Sequence, residues 1–191
     1  NANLCIHRII CSEKKVYKGG RIMNLTKPQQ LIYEMEKFSG GAISIICGSM
    51  LLNGNKNPLE ITTAINELYK INDALRIRIS EINGNVQQTV SEYAEQDFEV
   101  LNFNSKDELD IYAQSHAMKP LDLYGSLCEF KVVVLPDKYG CLVKLHHMIG
   151  DAWTLALLGT QLNSIFNDKT VQTYSYADYI ESEKKYLDGK R

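Results

Sequence analysis

Apolar and polar positions along this chain change rhythm repeatedly, and each rhythm predicts an element. In NLTKPQQLIYEMEKF a helix start is written out: Thr26 can cap, Pro28 suits the first turn, and Gln29 stands three residues after Thr26 as in a capping box. Gly40-Gly41 ends that segment. AISIICGSMLL (42–52) is rich in isoleucine and predicts a buried strand, closed by a turn at Gly54 and Pro58. PLEITTAINELYKIN repeats Leu59, Ile61, Ile65, Leu68 and Tyr69 at helical spacing. ALRIRISEI alternates as a half-buried strand does, and Asn83-Gly84 signals a hairpin into NVQQTVSE. FEVLNF reads as a short strand, and SKDELDIYAQSHAM as a helix capped by Ser105 with Glu108 three residues on. SLCEFKVVVL and YGCLVKLHHM predict two strands joined by a turn at Pro136-Asp137-Lys138-Tyr139-Gly140. AWTLALLGTQLNSIF reads as an amphipathic to buried helix and SYADYIESEKKYL as a final polar one. Residues 4–23 are mixed, carry the basic stretch Lys14-Lys15-Val16-Tyr17-Lys18 and support only a strand.

Strands and helices alternate irregularly, so the expected class is α+β: a mixed, largely antiparallel sheet flanked by helices. The 191 residues are 45% hydrophobic and 23% charged, enough to bury a core. A net charge of −2 argues against a general nucleic-acid binder, and no apolar run is long enough for a membrane span. The cysteines Cys5, Cys11, Cys47, Cys128 and Cys141 show no C-x-x-C spacing. Three of them sit in apolar, strand-like runs. An odd count without a framework points to a reducing, cytoplasmic compartment. The start Asn1-Ala2, without methionine or signal peptide, reads as an expression scar on an excised piece.

The candidate chemistry lies in LVKLHHMIGDAWTLALL (142–158), where two of the four histidines stand side by side. On a strand successive side chains face opposite ways, so Val143, Leu145 and His147 would share one face and Lys144 and His146 the other. The two rings therefore cannot easily bind one metal, and no nearby Cys or His completes a tetrahedral set. The plain reading is one core histidine, one surface histidine and Asp151 as a helix N-cap. The chemical reading is more specific. A histidine at a strand end presents its ring beyond the sheet, where it can take a proton at neutral pH. A carboxylate four residues on can fix the loop by capping it or by pairing with an arginine. Acyl transfer needs such a base, or a donor to the developing oxyanion.

LHHMIGDAWT resembles the His-His-x-x-x-Asp-Gly motif of nonribosomal peptide synthetase condensation domains, acyltransferases of the chloramphenicol-acetyltransferase-like superfamily. NLTKPQQLIYEME resembles that family's first motif through Pro28, Gln29, Gln30 and Leu31, and NDALRIRI its second through Leu75 and Arg76. MKPLDLYGSLCEFKVVVL is similar to its Pro-Phe-Asp-Leu segment and following strand, and YSYADYIESEKKYLDG to the helix that leaves the N-terminal half. Two departures stand out: Ala152 replaces a glycine, and Ile71-Asn72 replace Arg-His.

The resemblance implies an N-terminal segment 1–21 followed by an N-terminal lobe over 22–191, with the C-terminal lobe absent. It implies that His147 is the catalytic residue, as base or as positioner of the attacking amine, and that His146 supports it. Asp151 would be structural and ion-paired with Arg76. Ala152 and Trp153 would border the substrate passage, which the extra methyl of Ala152 narrows. The implied work is amide formation in peptide biosynthesis, a form of secondary metabolism, by acyl transfer between thioesters carried on the 4'-phosphopantetheine of carrier proteins. No cofactor or metal would be bound directly. The partners would be carrier protein domains and the second lobe, with no nucleic acid or membrane. The isolated chain would be inactive, and its lobe face would favour self-association. Two alternatives stay open: a catalytically silent docking module, and a stand-alone coenzyme A-dependent acyltransferase.

Overall fold

A computed structural model describes residues 20–39 and 43–189. The Gly40-Gly41 stop, the basic stretch and most of segment 1–21 lie outside the described residues. In chain order the elements are β1 (Ile22–Asn24), α1 (Lys27–Ser39), β2 (Ile45–Asn53), α2 (Pro58–Ile71), a 3-10 turn (Asp73–Arg76), β3 (Ile77–Ile82), β4 (Asn85–Val90), β5 (Val100–Asn102), α3 (Lys106–Ala117), β6 (Cys128–Val134), β7 (Lys138–His146), α4 (Ala152–Phe166) and α5 (Tyr176–Asp188).

The strands form two sheets rather than one. β1, β4 and β3 make a small antiparallel sheet in the order β1-β4-β3. The larger sheet runs β2-β7-β6-β5, antiparallel except for the parallel β5–β6 pair. The class is thus α+β with mixed, largely antiparallel sheets flanked by helices, as the alternation of elements led one to expect.

Helices lie on both faces of the larger sheet. On one face Cys141, Val143 and Leu145 of β7 join Phe130 and Val132 of β6 in a core with Ile61, Ile65 and Leu68 of α2 and Leu158 and Leu162 of α4. Tyr69 closes it edge-on against Phe130, with ring centroids 5.3 Å apart. On the other face Leu142, Val133 and Leu135 pack against Leu109 of α3. β7 is therefore covered on both sides, which explains its almost continuous apolar run. β2 is an edge strand, half-buried over nearly its whole length rather than buried as its isoleucines suggest.

Local signals explain most boundaries. Thr26 Oγ1 accepts from Gln29 N at 3.3 Å while Gln29 Oε1 accepts from Thr26 N at 2.9 Å, a reciprocal capping box at the start of α1. Asn57 and Glu60 form another at α2. Ser105 caps α3 and Ser175 caps α5. Asn83 and Gly84 both take positive φ, 51° and 78°, the two-residue turn that matches strand twist.

Two boundaries differ from the pattern. Gly140, expected in the β6–β7 turn, lies inside β7 opposite Leu51. A Cβ there would stand 1.9 Å from the Met50 carbonyl oxygen, so only glycine lets β2 approach. Residues 73–76 form a 3-10 turn before β3, which takes Arg76 out of the strand.

Candidate active site

β7 delivers the double histidine to the edge of the core. Its last residue is His146, whose N–H donates to the Leu127 carbonyl at 2.8 Å. His147 sits just past the strand, where its N–H donates to the Ser44 carbonyl at 2.8 Å. The chain then turns: Ile149 N donates back to the His146 carbonyl at 3.0 Å. Gly150 follows, packed so tightly that a Cβ would meet the Thr154 side chain at 2.8 Å.

The two rings have opposite fates. His146 is fully buried, and its Nδ1 accepts a hydrogen bond from Met148 N at 3.2 Å. An accepting Nδ1 carries no proton, so neutral His146 holds its proton on Nε2. That nitrogen faces Glu36 of α1, 3.7 Å from Oε1. Burial pushes the His146 pKa below the usual histidine value, and the neighbouring His147 adds to this against the pull of Glu36. His147 is exposed and lines an open groove of about 480 Å³. Pro28 and Ile32 of α1, the loop 147–151, Leu157 of α4 and Tyr174 before α5 form its walls. The plain expectation of one core and one surface histidine is met. The surface member is the one with access to a ligand-sized space.

Asp151 is the N-cap of α4. Its Oδ1 accepts from Thr154 N at 3.0 Å, while Asp151 N donates to Thr154 Oγ1 at 3.1 Å. The expected Arg76–Asp151 ion pair is not formed. Arg76 turns instead into the C-terminal end of α2, where its guanidinium donates to the carbonyls of Tyr69 and Lys70, the latter at 2.9 Å, while Nε reaches the Ser91 carbonyl at 3.2 Å. The physical reason is that Arg76 leaves the alternation of β3 for the 3-10 turn. There the last carbonyls of α2 lack intrahelical partners and present the negative end of the helix dipole. Asp151, exposed at a helix start, needs no cation. Ala152 and Trp153 follow it at the head of α4, both exposed, Trp153 at 83%, and neither lines the groove around His147.

Sequence reasoning assigned no place at the site to four further residues. Gln29, expected as a cap and as part of the first motif, also donates from Nε2 to the Met148 carbonyl and to Gln88 Oε1, each at 2.9 Å. Gln88 of β4 returns a bond to Gln29 Oε1 at 2.7 Å. Asp73 caps α5 from the 3-10 turn, accepting from Tyr176 N at 2.7 Å and Ala177 N at 3.2 Å. The Asp73 contact holds α5 beside the groove, while Asn72 ties the end of α2 to α4 by donating to Gln161 Oε1 at 2.8 Å. None of these partners is near in sequence, so no local pattern announces them.

Among the described residues no three His, Cys, Asp or Glu side chains gather as a metal site. Among the same residues no helix is long and apolar enough to cross a membrane.

Known proteins match both sequence and shape. A family model described as Condensation domain matches residues 20–191. Tyrocidine synthase 3 of Brevibacillus parabrevis is 25% identical over 160 residues, which cover 81% of this chain and 2% of that protein. The starter condensation domain of rhizomide synthetase RzmA superposes with a TM-score of 0.76 at 15% identity, covering 88% of this chain and 46% of that one. A variant of it in complex with C8-CoA and Leu-SNAC gives 0.77 at 15% identity, over 88% of this chain and 42% of that one. The condensation domain of the monacolin K polyketide synthase MokA gives 0.74 at 12% identity, over 88% and 40%. The chain thus spans less than half the length of these solved structures and a small fraction of the synthase. At such identities the structures speak for the fold, here the chloramphenicol-acetyltransferase-like one. Condensation domains are acyltransferases, and on the family match over residues 20–191 this chain belongs to the condensation-domain family.

Proposed function

We propose that this chain is the N-terminal lobe of a condensation domain that forms amide bonds in nonribosomal peptide synthesis, with His147 as its catalytic residue. The observation that carries the reading is the division of labour between the histidines: His146 is buried with its proton placement fixed, while the imidazole of His147 stands free at the groove. In the reaction the acceptor amine attacks the thioester carbonyl of the donor. A C–N bond forms, the C–S bond breaks, the thiol leaves, and the amine gives up a proton. His147 takes that proton or orients the amine that loses it. The solved starter domain that holds C8-CoA and Leu-SNAC supports a pairing of an acyl donor with an aminoacyl acceptor.

Phosphopantetheine arms of carrier domains would bring both substrates, and a second lobe would cover the groove. The exposed Leu157 and Tyr174 at the groove, with the exposed Trp153 nearby in sequence at the head of α4, support such a cover, and they would favour self-association where it is lacking. In this reading Ala152 and Trp153 border the passage between the lobes rather than the His147 groove itself. The free thiols of Cys47, Cys128 and Cys141 support a reducing, cytoplasmic setting.

The test is to supply the full-length protein with donor and acceptor carrier proteins loaded with acyl and aminoacyl groups and to follow amide product by mass spectrometry. Enzyme-dependent amide is the expected result. Product only with coenzyme A donors would favour the stand-alone acyltransferase, and no product with any pair the catalytically silent module.

A further inference from the structure

We infer that Gln29 and Gln88 form a positioning device for His147, acting through the carbonyl of the next residue, Met148; the inference rests on the reading of His147 as the reactive residue. The two peptides that follow His147 are both held. The N–H of the first, on Met148, donates to His146 Nδ1 at 3.2 Å, and the carbonyl of the second, Met148 O, accepts from Gln29 Nε2 at 2.9 Å. The peptide that precedes His147 is tied to the edge strand by the bond from His147 N to Ser44 O at 2.8 Å. Both peptides flanking the reactive residue are therefore fixed, although its side chain is exposed. What remains free is rotation of the ring about its own bonds.

Gln29 is built for this grip. A side-chain amide offers two donor hydrogens and two acceptor lone pairs, and Gln29 uses all four. Nε2 donates to Met148 O and Gln88 Oε1, and Oε1 accepts from Thr26 N and Gln88 Nε2. Gln88 is fully buried in the middle strand of the small sheet and donates also to Asn24 O of β1 at 2.8 Å. Its pairing sets which end of the Gln29 amide faces Met148. The small sheet thereby fixes the orientation of the loop that carries His147. A cap alone would need only the bond to Thr26. The bonds to Met148 and Gln88 go to residues 119 and 59 positions away. Placement of a reacting group is worth much in rate, so a loosened grip should show in turnover more than in binding.

The experiment compares Gln29→Met, which keeps the length and loses the four bonds, with Asn57→Ala, which strips the capping box of α2 away from the groove. Both are made in the full-length protein. Two quantities are read: kcat and KM for amide formation, and hydrogen exchange at the Met148 amide against the amides of α2. The inference expects Gln29→Met to lower kcat about 10-fold or more with KM little changed, and to speed exchange at Met148 selectively. Gln88→Met should move both readouts the same way by less. Asn57→Ala should lower the melting temperature without either effect. Unchanged exchange at Met148, or a fall in kcat no larger than that of Asn57→Ala, overturns the inference. If the wild-type protein forms no amide, the functional reading has failed, and exchange at Met148 alone then decides for or against the grip.

Discussion

At the scale of residues, the site rests on a choice of partners that the motif alone does not reveal. Asp151 caps a helix and Arg76 caps the far end of another, so their energies should be independent. Asp151→Ala should cost about 1 kcal/mol, the value of an N-cap, rather than the roughly 3–5 kcal/mol of a broken buried pair. Arg76→Ala strips several bonds from a charged group and should cost about 2 kcal/mol or more. A double-mutant cycle by urea unfolding should be additive to about 0.5 kcal/mol. Strong coupling would restore the ion pair. The buried histidines set a pH dependence. His146 is held below the ordinary value first by burial, and so is His116, where Lys144 adds to the effect against Glu129. A depressed histidine contributes stability that is whole above the unfolded-state pKa of about 6.5 and is lost as the pH falls below it, because the unfolded chain takes the proton more readily. Melting temperature should therefore decline from about pH 7 towards about pH 5, with a shallower slope in His116→Gln. A flat profile would contradict the buried, neutral state of these rings.

At the scale of elements, the α3 face of the large sheet holds a charged cluster that the alternation of β6 and β7 builds. Glu129 sits at its centre, 2.9 Å from Lys131, 3.2 Å from Lys144 and 3.1 Å from His116. Burial works against its charge, but Lys131 above all, then His116 and Lys144, hold it below the usual carboxylate range. Lys144 is only 3% exposed, so Glu129→Ala would leave it without its carboxylate, with only the Lys119 carbonyl to accept from it at 3.3 Å. The loss should lie at the lower end of roughly 3–5 kcal/mol, since Glu129 itself is a third exposed. Glu129→Ala paired with Lys144→Met should recover part of it by thermal unfolding, and no recovery would mean the two side chains are not coupled. Periodicity made most elements legible. The helices at Pro58 and Ala152, the Asn83-Gly84 hairpin and the Thr26–Gln29 box stand where caps and spacing put them. The misses share a cause. Half-burial of β2, the place of Gly140 within β7 and the 3-10 turn at Arg76 all depend on which strand lies alongside, and a strand's neighbour leaves no mark in its own sequence.

At the scale of the whole molecule, the groove is a meeting place of distant segments: α1, the 3-10 turn, the loop after β7, α4 and the approach to α5. The double histidine was legible because two rare residues stand at a strand end before a capped helix. Which of them is buried was not set by alternation, which groups His147 with the apolar Val143 and Leu145, whereas β7 stops one residue earlier and frees it. Gln29 was legible as a cap and silent as a partner of Met148, since that contact exists only after the sheets assemble. These segments form the groove that the imidazole of His147 faces, and the central claim is that this exposed imidazole carries acyl transfer. The most direct measurement is amide formation by the full-length protein with His147→Ala, using loaded carrier proteins and product quantified by mass spectrometry. Removing an exposed side chain should leave the melting temperature nearly unchanged while product formation falls about 10²-fold or more, the usual loss for a positioned acid–base group. Near-normal turnover of His147→Ala would contradict the account.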